Sequence, residues 1–232
     1  MTALVIQVAM EEEAQPFLDA ADQVSEPVEI GRAVHRGLAV GDATVVLVRS
    51  GIGMVNAAVA AAGAIARYGS DDVAIVSAGT AGGLAAQVEV GDVIVASEAI
   101  NVQADARAFG YALGQVPGMP EAYPVDEGLR AALAAVEVEG VAMRAGAMGA
   151  GDRFVTSDAA LTLREEFPAL LSIDMETAAV AHAALLHGAR FAAARGVSDL
   201  CAPTADQFET HVDDAAARSA RVVLAALGSL VR

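Results

Sequence analysis

The chain of 232 residues is 55% hydrophobic and only 4% aromatic, and its formal net charge is −16. This length is enough for one large α/β domain with a full core. The acidic balance argues against a nucleic-acid partner, because proteins that bind phosphate backbones carry clustered Lys and Arg, and it favours a neutral or cationic small molecule.

Neither the N-terminus nor the apolar stretches predict export or membrane insertion. The N-terminal sequence MTALVIQVAMEEE lacks a basic flank and a small-residue cleavage site. The uncharged stretch 73–88 is too short and too rich in Gly to span a bilayer. Cys201 is the only cysteine, which excludes an internal disulfide and suits a reducing compartment. We therefore expect a cytoplasmic protein without a membrane partner.

Short apolar runs alternate with Ala-rich segments along the chain. Strands are predicted at 3–9, 37–40, 43–49, 73–78, 92–97, 141–148, 170–174 and 191–197. Helices are predicted at 14–22, 54–68, 125–136, 158–167, 175–187 and 211–227. Apolar residues are continuous within the strands, which indicates a mainly parallel sheet covered on both faces by helices. We expect one α/β domain over residues 1–232.

Residues 101–124 form the one long irregular stretch, and a loop of that length is usually functional or at an interface. It holds an unusual share of the bulky apolar side chains outside any predicted element, namely Phe109, Tyr111, Val116, Pro117, Met119 and Tyr123. The loop either folds back over its own core or is buried at a two-fold interface. We favour the interface, and therefore a homodimer.

Polar residues that end apolar runs are the candidates for a site, because ligands bind beyond the carboxyl ends of strands in α/β sheets. These residues are Glu11 to Glu13, Ser50 to Gly53, Gly79 to Gly83, Gly151 to Phe154, Asp174 to Glu176, and Ser198 with Asp199. Each group also has a structural explanation. Acids are favoured in a first helical turn, Asp199 could begin a turn, and paired glycines mark tight turns.

Several familiar site types are absent from the sequence. The glycine turns match neither the dinucleotide fingerprint nor a phosphate-binding P-loop. The four histidines are scattered and Cys201 is solitary, so we expect no metal. No Gly-x-Ser-x-Gly elbow offers a nucleophilic serine. Chemistry that needs carboxylates without metal or nucleophile includes glycosidic-bond hydrolysis, where one acid protonates the leaving group and one base activates water.

The segments VAMEEEAQPF, SGIGMVNAA, SAGTAGGL, ADARAFGYALGQVPGMP, GAGDRFV, IDMETAAVAH and RGVSDL occur in this order between about residues 3 and 225. Together they resemble the 5′-methylthioadenosine/S-adenosylhomocysteine nucleosidases of the nucleoside phosphorylase superfamily. The resemblance implies a single-domain, three-layer α/β fold with a twisted, mixed and mainly parallel sheet. It also implies a homodimer that uses neither metal nor cofactor, and a nucleoside as the small-molecule substrate.

The resemblance implies two catalytic acids. Glu13, the third of the glutamate triplet, would activate the water, and Asp199, held by Ser198, would protonate purine N7 as the base leaves. A helical wheel that buries Phe17 turns Glu12 away but does not separate Glu11 from Glu13, so the choice of Glu13 depends on the resemblance alone.

The remaining implied residues bind substrate. Glu176 would accept hydrogen bonds from the ribose hydroxyls beside Met175, and Phe154 would stack on adenine beside Val155. Further pocket positions fall on Ile52, Thr80, Arg195 and, with spacing one residue short, Phe208. The family's inter-subunit loop positions, which close the partner's 5′ pocket, fall on Phe109 and Pro117.

Departures from the family pattern bear on substrate choice more than on reaction type. Asp174 and Thr80 are conservative changes, whereas AINVQAD before Arg107 alters the approach to the 5′ pocket. Alternatives are therefore a nucleosidase for a futalosine-type nucleoside, a phosphate-dependent phosphorylase, or a non-catalytic nucleoside-binding protein. Phosphorolysis is disfavoured because Ser77 stands where phosphorylase relatives carry a phosphate-binding Arg. In addition, Glu11 to Glu13 occupy the position after the first strand where those relatives have a second phosphate-binding turn.

Overall fold

A computed structural model describes residues 3–69, 73–201 and 205–231 of the chain, with only the helical backbone described for 205–210. Its strands are β1 (Ala3–Val8), β2 (Gln23–Val24), β3 (Val28–Ile30), β4 (Ala33–Val40), β5 (Ala43–Arg49), β6 (Val73–Gly83), β7 (Val93–Asn101), β8 (Tyr123–Pro124), β9 (Met143–Ala150), β10 (Leu170–Asp174) and β11 (Arg190–Asp199). Its helices are α1 (Glu11–Ala20), α2 (Met54–Tyr68), α3 (Glu127–Ala134), α4 (Ser157–Glu166), α5 (Thr177–His187) and α6 (Ala205–Leu230), with a 3₁₀ turn at Arg107–Phe109.

The strands form one mixed sheet in the order β10-β9-β7-β11-β6-β1-β5-β4-β2. Parallel pairing joins β5, β1, β6 and β11, and it also joins β7, β9 and β10. An antiparallel pair, β11 with β7, connects the two parallel groups. The end of β10 then bonds back to the end of β6, with Ile173 opposite Gly82. Five strands therefore close on themselves, and the rim of this closed part carries the candidate site.

Helices cover both faces of the sheet, and alternate residues of each central strand point to different helices. Val73 and Ile75 of β6 pack with α2 and α5, whereas Ala74 and Val76 pack with α1, α3 and α6. Each face is apolar because each is buried, which explains the uninterrupted hydrophobic runs. The predicted three-layer α/β class, with its mixed sheet, is confirmed.

Some element boundaries differ from the predictions. The stretch Gly79–Gly83, predicted as a turn, continues β6 because β11 and β10 supply hydrogen-bonding partners on both sides. Helix α1 begins at Glu11 rather than at residue 14, so the glutamate triplet forms its first turn. The short strands β2 and β3 were not predicted, since pairs and triplets of residues carry no periodic signal.

The 101–124 segment is also more ordered than predicted. Tyr123 belongs to β8, which pairs with β7, and its buried ring stacks on His182 at a centroid distance of 4.8 Å. Met119 packs against the same core, whereas Phe109 is 84% exposed. Part of the segment thus folds over its own core, and its middle part extends into solvent.

No helix in the described part of the chain is both long enough and apolar enough to cross a lipid bilayer.

Candidate active site

A cavity opens at the rim where β6, β10 and β11 end and α1 and α2 begin. Its walls comprise Ala9, Met10, Glu13, Ile52, Thr80, Ala81, Gly82, Arg153, Phe154, Val155, Ile173, Asp174, Met175, Glu176, Ser198, Asp199 and Cys201. Nine of the thirteen residues predicted for the site are in this wall: Glu13, Ile52, Thr80, Phe154, Val155, Met175, Glu176, Ser198 and Asp199. The polar residues that follow separate apolar runs therefore meet in one site, as predicted.

Glu13 is the one residue of the glutamate triplet that faces the cavity. It is 1% exposed, whereas Glu12 is exposed and Glu11 pairs at the surface with Arg49 at 3.1 Å. The expectation that three acids occupy the phosphate position is therefore wrong, because successive helical residues point about 100° apart. Only one carboxylate of the triplet reaches the site.

Four protein donors hold the Glu13 carboxylate. Oε2 accepts from the backbone N–H groups of Ala9 at 2.7 Å and Met10 at 3.2 Å. Oε1 accepts from the backbone N–H of Thr80 at 2.8 Å and from its hydroxyl at 3.0 Å. Together these four bonds fix the orientation of the carboxylate.

Gly79 provides the space for this carboxylate. Its φ is +131°, and a Cβ atom at this position would lie 2.3 Å from Oε1 of Glu13. A side chain at residue 79 would therefore be strained in its backbone and would displace the carboxylate. Gly79, the first glycine of SAGTAGGL, therefore allows the Glu13 side chain to approach the backbone of β6 and does not form a turn.

Glu176 directly precedes α5, and its side chain lines the cavity. Its Oε1 accepts from the backbone N–H of Gly53 at 2.8 Å, just before the N-terminus of α2. Its Oε2 accepts from Nη1 of Arg195 at 3.2 Å. Asp152 acts on the same helix end, since its Oδ1 accepts from the N–H of Met54 at 2.6 Å.

Arg195 lies beneath the site rather than in its wall. Its guanidinium is 1% exposed and donates to Thr177 Oγ1, Thr80 O, Glu176 Oε2 and Ser77 Oγ. It also lies 3.5 Å from Asp174 and 3.9 Å from Glu13. The predicted pocket residue is therefore the support that holds the acids in place, and Ser77 is one of its acceptors.

Negative charge exceeds positive charge in this cluster. Glu13, Asp174 and Glu176 surround the single guanidinium of Arg195. Burial raises the pKa of Glu176 to about 7, Arg195 opposes this rise, and the charges of Asp174 and Glu13 add to it. Burial lowers the pKa of Arg195, but the surrounding carboxylates outweigh burial and raise it overall. The site is therefore suited to positive charge in whatever occupies it.

Asp199 stands on another wall, at the end of β11. Its Oδ1 accepts from the backbone N–H of Cys201 at 2.8 Å, and its Oδ2 lies 2.9 Å from the hydroxyl of Ser198. The bond from Cys201 closes a tight turn after β11, in which Cys201 has a φ of +53°. Burial, with an addition from Asp199, raises the pKa of the Cys201 thiol to about 12, so it is no nucleophile at neutral pH.

Apolar groups complete the cavity. Phe154 and Ile52 are half exposed at its mouth, and Val155 and Ile173 are buried deeper. This combination of flat aromatic and aliphatic walls with a few fixed polar groups is typical of a small-molecule site.

Besides Arg195, two predicted residues are not part of this wall. Phe109 and Pro117 are exposed in the segment after β7 and do not line the cavity of their own chain. Phe208 lies outside the residues whose side chains the structure describes. Residues of the wall that the sequence did not suggest are Ala9, Met10, Ile173 and Cys201. Ile173 lies directly before Asp174, and Cys201 lies two positions after Asp199.

Within the described ranges, no group of three or more His, Cys, Asp and Glu side chains has an arrangement that could hold a metal ion.

Known proteins resemble this chain over nearly its whole length. The matching family model is that of the phosphorylase superfamily, over residues 3–228. The 5′-methylthioadenosine/S-adenosylhomocysteine nucleosidase of Geobacillus sp. (strain WCH70) is 36% identical over 226 residues, which are 96% of each chain. The nucleosidase of the same name from Neisseria meningitidis, solved with methylthio-immucillin-A, has a TM-score of 0.93 and 36% identity over 99% of this chain and 100% of that one. The one from Colwellia psychrerythraea 34H, solved with adenine, has a TM-score of 0.93 and 32% identity over 99% of this chain and 96% of that one. The chain therefore belongs to the 5′-methylthioadenosine/S-adenosylhomocysteine nucleosidase family of the phosphorylase superfamily.

Proposed function

We propose that this protein hydrolyses the N-glycosidic bond of 5′-substituted adenosines, such as 5′-methylthioadenosine, S-adenosylhomocysteine and 5′-deoxyadenosine, and releases adenine. One observation carries the proposal: separately anchored buried acids, Glu13 and Asp199, belong to one cavity of net negative charge. Relatives of the family are named for two of these substrates, and one solved relative holds adenine.

Glu13 is the base in this mechanism. A water molecule beside its carboxylate attacks C1′ of the ribose and transfers a proton to it as the bond from C1′ to the purine nitrogen breaks. The four donors to the carboxylate keep it oriented, which positions the base before the reaction begins. The sugar leaves with a hydroxyl at C1′.

Asp199 acts on the leaving group. As the glycosidic bond breaks, its electrons pass into the purine, and a proton or a strong hydrogen bond at N7 stabilises the departing base. The bond from Cys201 N–H fixes one carboxylate oxygen, so the other is directed by the Ser198 hydroxyl. Phe154, with Val155 deeper in the cavity, offers apolar faces against which adenine would stack.

The ribose lies among the carboxylates. Its transition state carries positive charge of oxocarbenium type, and the excess of Glu13, Asp174 and Glu176 over Arg195 stabilises that charge. Glu176, held by Gly53 and Arg195, accepts hydrogen bonds from the ribose hydroxyls when it is ionised. Ile52 and Met175 line the same cavity and contact the sugar and its 5′ group.

We propose further that the protein is a homodimer. Val55, Val59 and Phe109 are among its most exposed large apolar side chains, at 72%, 64% and 84%. The first two lie one turn apart on α2, whose single charged residue is Arg67. Such apolar surface favours burial between two copies of the chain. In that arrangement Phe109 and Pro117 close the 5′ pocket of the other subunit. The lone cysteine suits a cytoplasmic location.

The test is release of free adenine from a panel of 5′-substituted adenosines, with and without phosphate. We expect hydrolysis without phosphate and a free ribose derivative as the second product. Formation of a sugar 1-phosphate, or a strict need for phosphate, would establish phosphorolysis instead. A futalosine-type nucleoside in the panel tests the alternative substrate, and release of no base from any nucleoside would identify a binding protein.

A further inference from the structure

A buried hydroxyl on α6 connects this helix with the strands beneath the site. Ser219 is fully buried, and its Oγ donates to the carbonyl oxygen of Ala194 on β11 at 2.7 Å. The same Oγ accepts from the backbone N–H of Gly79 on β6 at 3.0 Å. A hydroxyl has one proton and two lone pairs, so Ser219 can make both bonds at once.

The bond to the N–H of Gly79 fixes the Ala78–Gly79 peptide, which directly precedes the peptide that donates to Glu13. Gly79 has a φ of +131°, and the residue after it, Thr80, presents its N–H and hydroxyl to Oε1 of Glu13. Gly79 pairs with Arg195 in the register between β6 and β11, and its N–H donates to Oγ of Ser219. The orientation of residue 79 therefore decides the direction of the Thr80 donors.

The position of α6 is fixed by a contact without side chains. A Cβ atom at Gly196 on β11 would lie 2.1 Å from the carbonyl oxygen of Ala215, so helix and strand are in backbone contact there. Ser219 is one helical turn beyond Ala215, on the same helix face, and Ala194 is two residues before Gly196, on the same strand face. This backbone contact places Ser219 within hydrogen-bonding distance of Gly79.

We propose that Ser219 is a positioning residue for Glu13, an inference that depends on the proposed hydrolysis. Without an acceptor, the buried N–H of Gly79 turns toward another partner, because an unsatisfied buried donor is costly. That rotation withdraws the Thr80 N–H from Glu13 and lets the carboxylate turn. Ser219 contributes nothing to the cavity wall, so its loss affects water activation more than nucleoside binding.

The experiment compares Ser219→Ala with Ser172→Ala. Ser172 is the matched control: it is also fully buried, and its hydroxyl has no hydrogen-bond partner among the described residues. With 5′-methylthioadenosine as substrate, we expect Ser219→Ala to lower kcat about 10- to 100-fold and to change KM less than about twofold, the loss expected when a catalytic base is misplaced. Ser172→Ala should leave both constants near those of the wild type.

A double-mutant cycle separates this role from a general loss of packing. If Ser219 acts through Glu13, Ser219→Ala adds no further loss of kcat in a Glu13→Gln background. Full additivity, or a kcat equal to that of Ser172→Ala, would overturn the positioning role. Ser219→Cys, which replaces the hydroxyl by a weakly bonding thiol of similar shape, repeats the test with less change in packing. A wild-type protein that releases no adenine would instead overturn the proposed function.

Discussion

Replacing Glu13 by Gln changes one atom in the site and should affect both rate and stability. The carboxylate accepts two hydrogen bonds at each oxygen, whereas the amide of Gln can accept only at one end. If the new NH₂ group faced Ala9 and Met10, it would oppose two backbone donors. If it faced Thr80, it would oppose one backbone donor and a hydroxyl that can turn to accept. The second orientation is therefore preferred.

In that orientation one buried backbone N–H, that of Thr80, loses its acceptor. The loss costs about 1–3 kcal/mol of folding free energy. For a chain of this size, each kcal/mol lowers the unfolding temperature by about 2–4 °C, which gives a decrease of about 2–12 °C. The lost base should lower kcat by about 10²–10⁴, and Asp199→Asn should have a loss of the same range.

Glu12→Gln is the matched control, because it makes the same change at an exposed neighbour in the same helical turn. We expect Glu12→Gln to keep the wild-type kcat and unfolding temperature. The assays are adenine release under saturating substrate and thermal unfolding by circular dichroism. Equal behaviour of the two variants would refute the assignment within the triplet. A Glu13→Gln variant that loses activity without any loss of stability would refute the hydrogen-bond account but not the catalytic role.

Four further predictions concern titration, assembly and metals. Because the pKa of Glu176 is raised to about 7, kcat/KM should decrease as the pH drops through that value. Glu176→Gln should remove this decrease at low pH, and a decrease that persists in the variant would show that another group causes it. Burial and, to a lesser extent, Arg67 lower the pKa of the buried His35, so the unfolded chain binds more protons than the folded chain below about pH 6.5, and the stability of the fold decreases there. His35→Phe should therefore reduce the decrease in unfolding temperature between about pH 7 and about pH 5. A decrease as large as that of the wild type would contradict this role of His35. Sedimentation should show a homodimer, and Phe109→Ala should raise KM more for 5′-methylthioadenosine than for adenosine; an active monomer, or equal effects on both substrates, would remove this loop from the pocket. Metal chelators should leave activity intact, and a loss that zinc or magnesium restores would overturn the metal-free mechanism.

The sequence by itself determined the fold class and most of the site. Uninterrupted apolar runs between Ala-rich segments indicate strands covered on both faces, because burial on two sides removes the polar alternation. Since ligands bind where such strands end, the polar groups there could be identified before their positions were known. Glu176 and Asp199 were found in this way, and both line the cavity.

The choice among Glu11, Glu12 and Glu13 required more than residue patterns. A helical wheel turns Glu12 away, but it leaves two candidates because both lie in a first turn whose start was uncertain. The resemblance to the family favoured Glu13, and the structure places Glu13 alone of the three in the cavity. Glu13 is buried because β6 packs against it at Gly79 and Thr80, and the residues around position 13 carry no signal for that contact.

Contacts between distant segments were decided only by the tertiary structure. Gly79–Gly83 has the composition of a turn, yet it is a strand because β10 and β11 satisfy its backbone hydrogen bonds. The family resemblance implied Arg195 as a pocket residue, yet it lies below the wall because four neighbouring groups accept its hydrogen bonds there. Ser219, in a helix far along the chain, gave no signal at all. A hydrogen bond depends on the position of both partners, and only the folded chain brings such partners within 3 Å of each other.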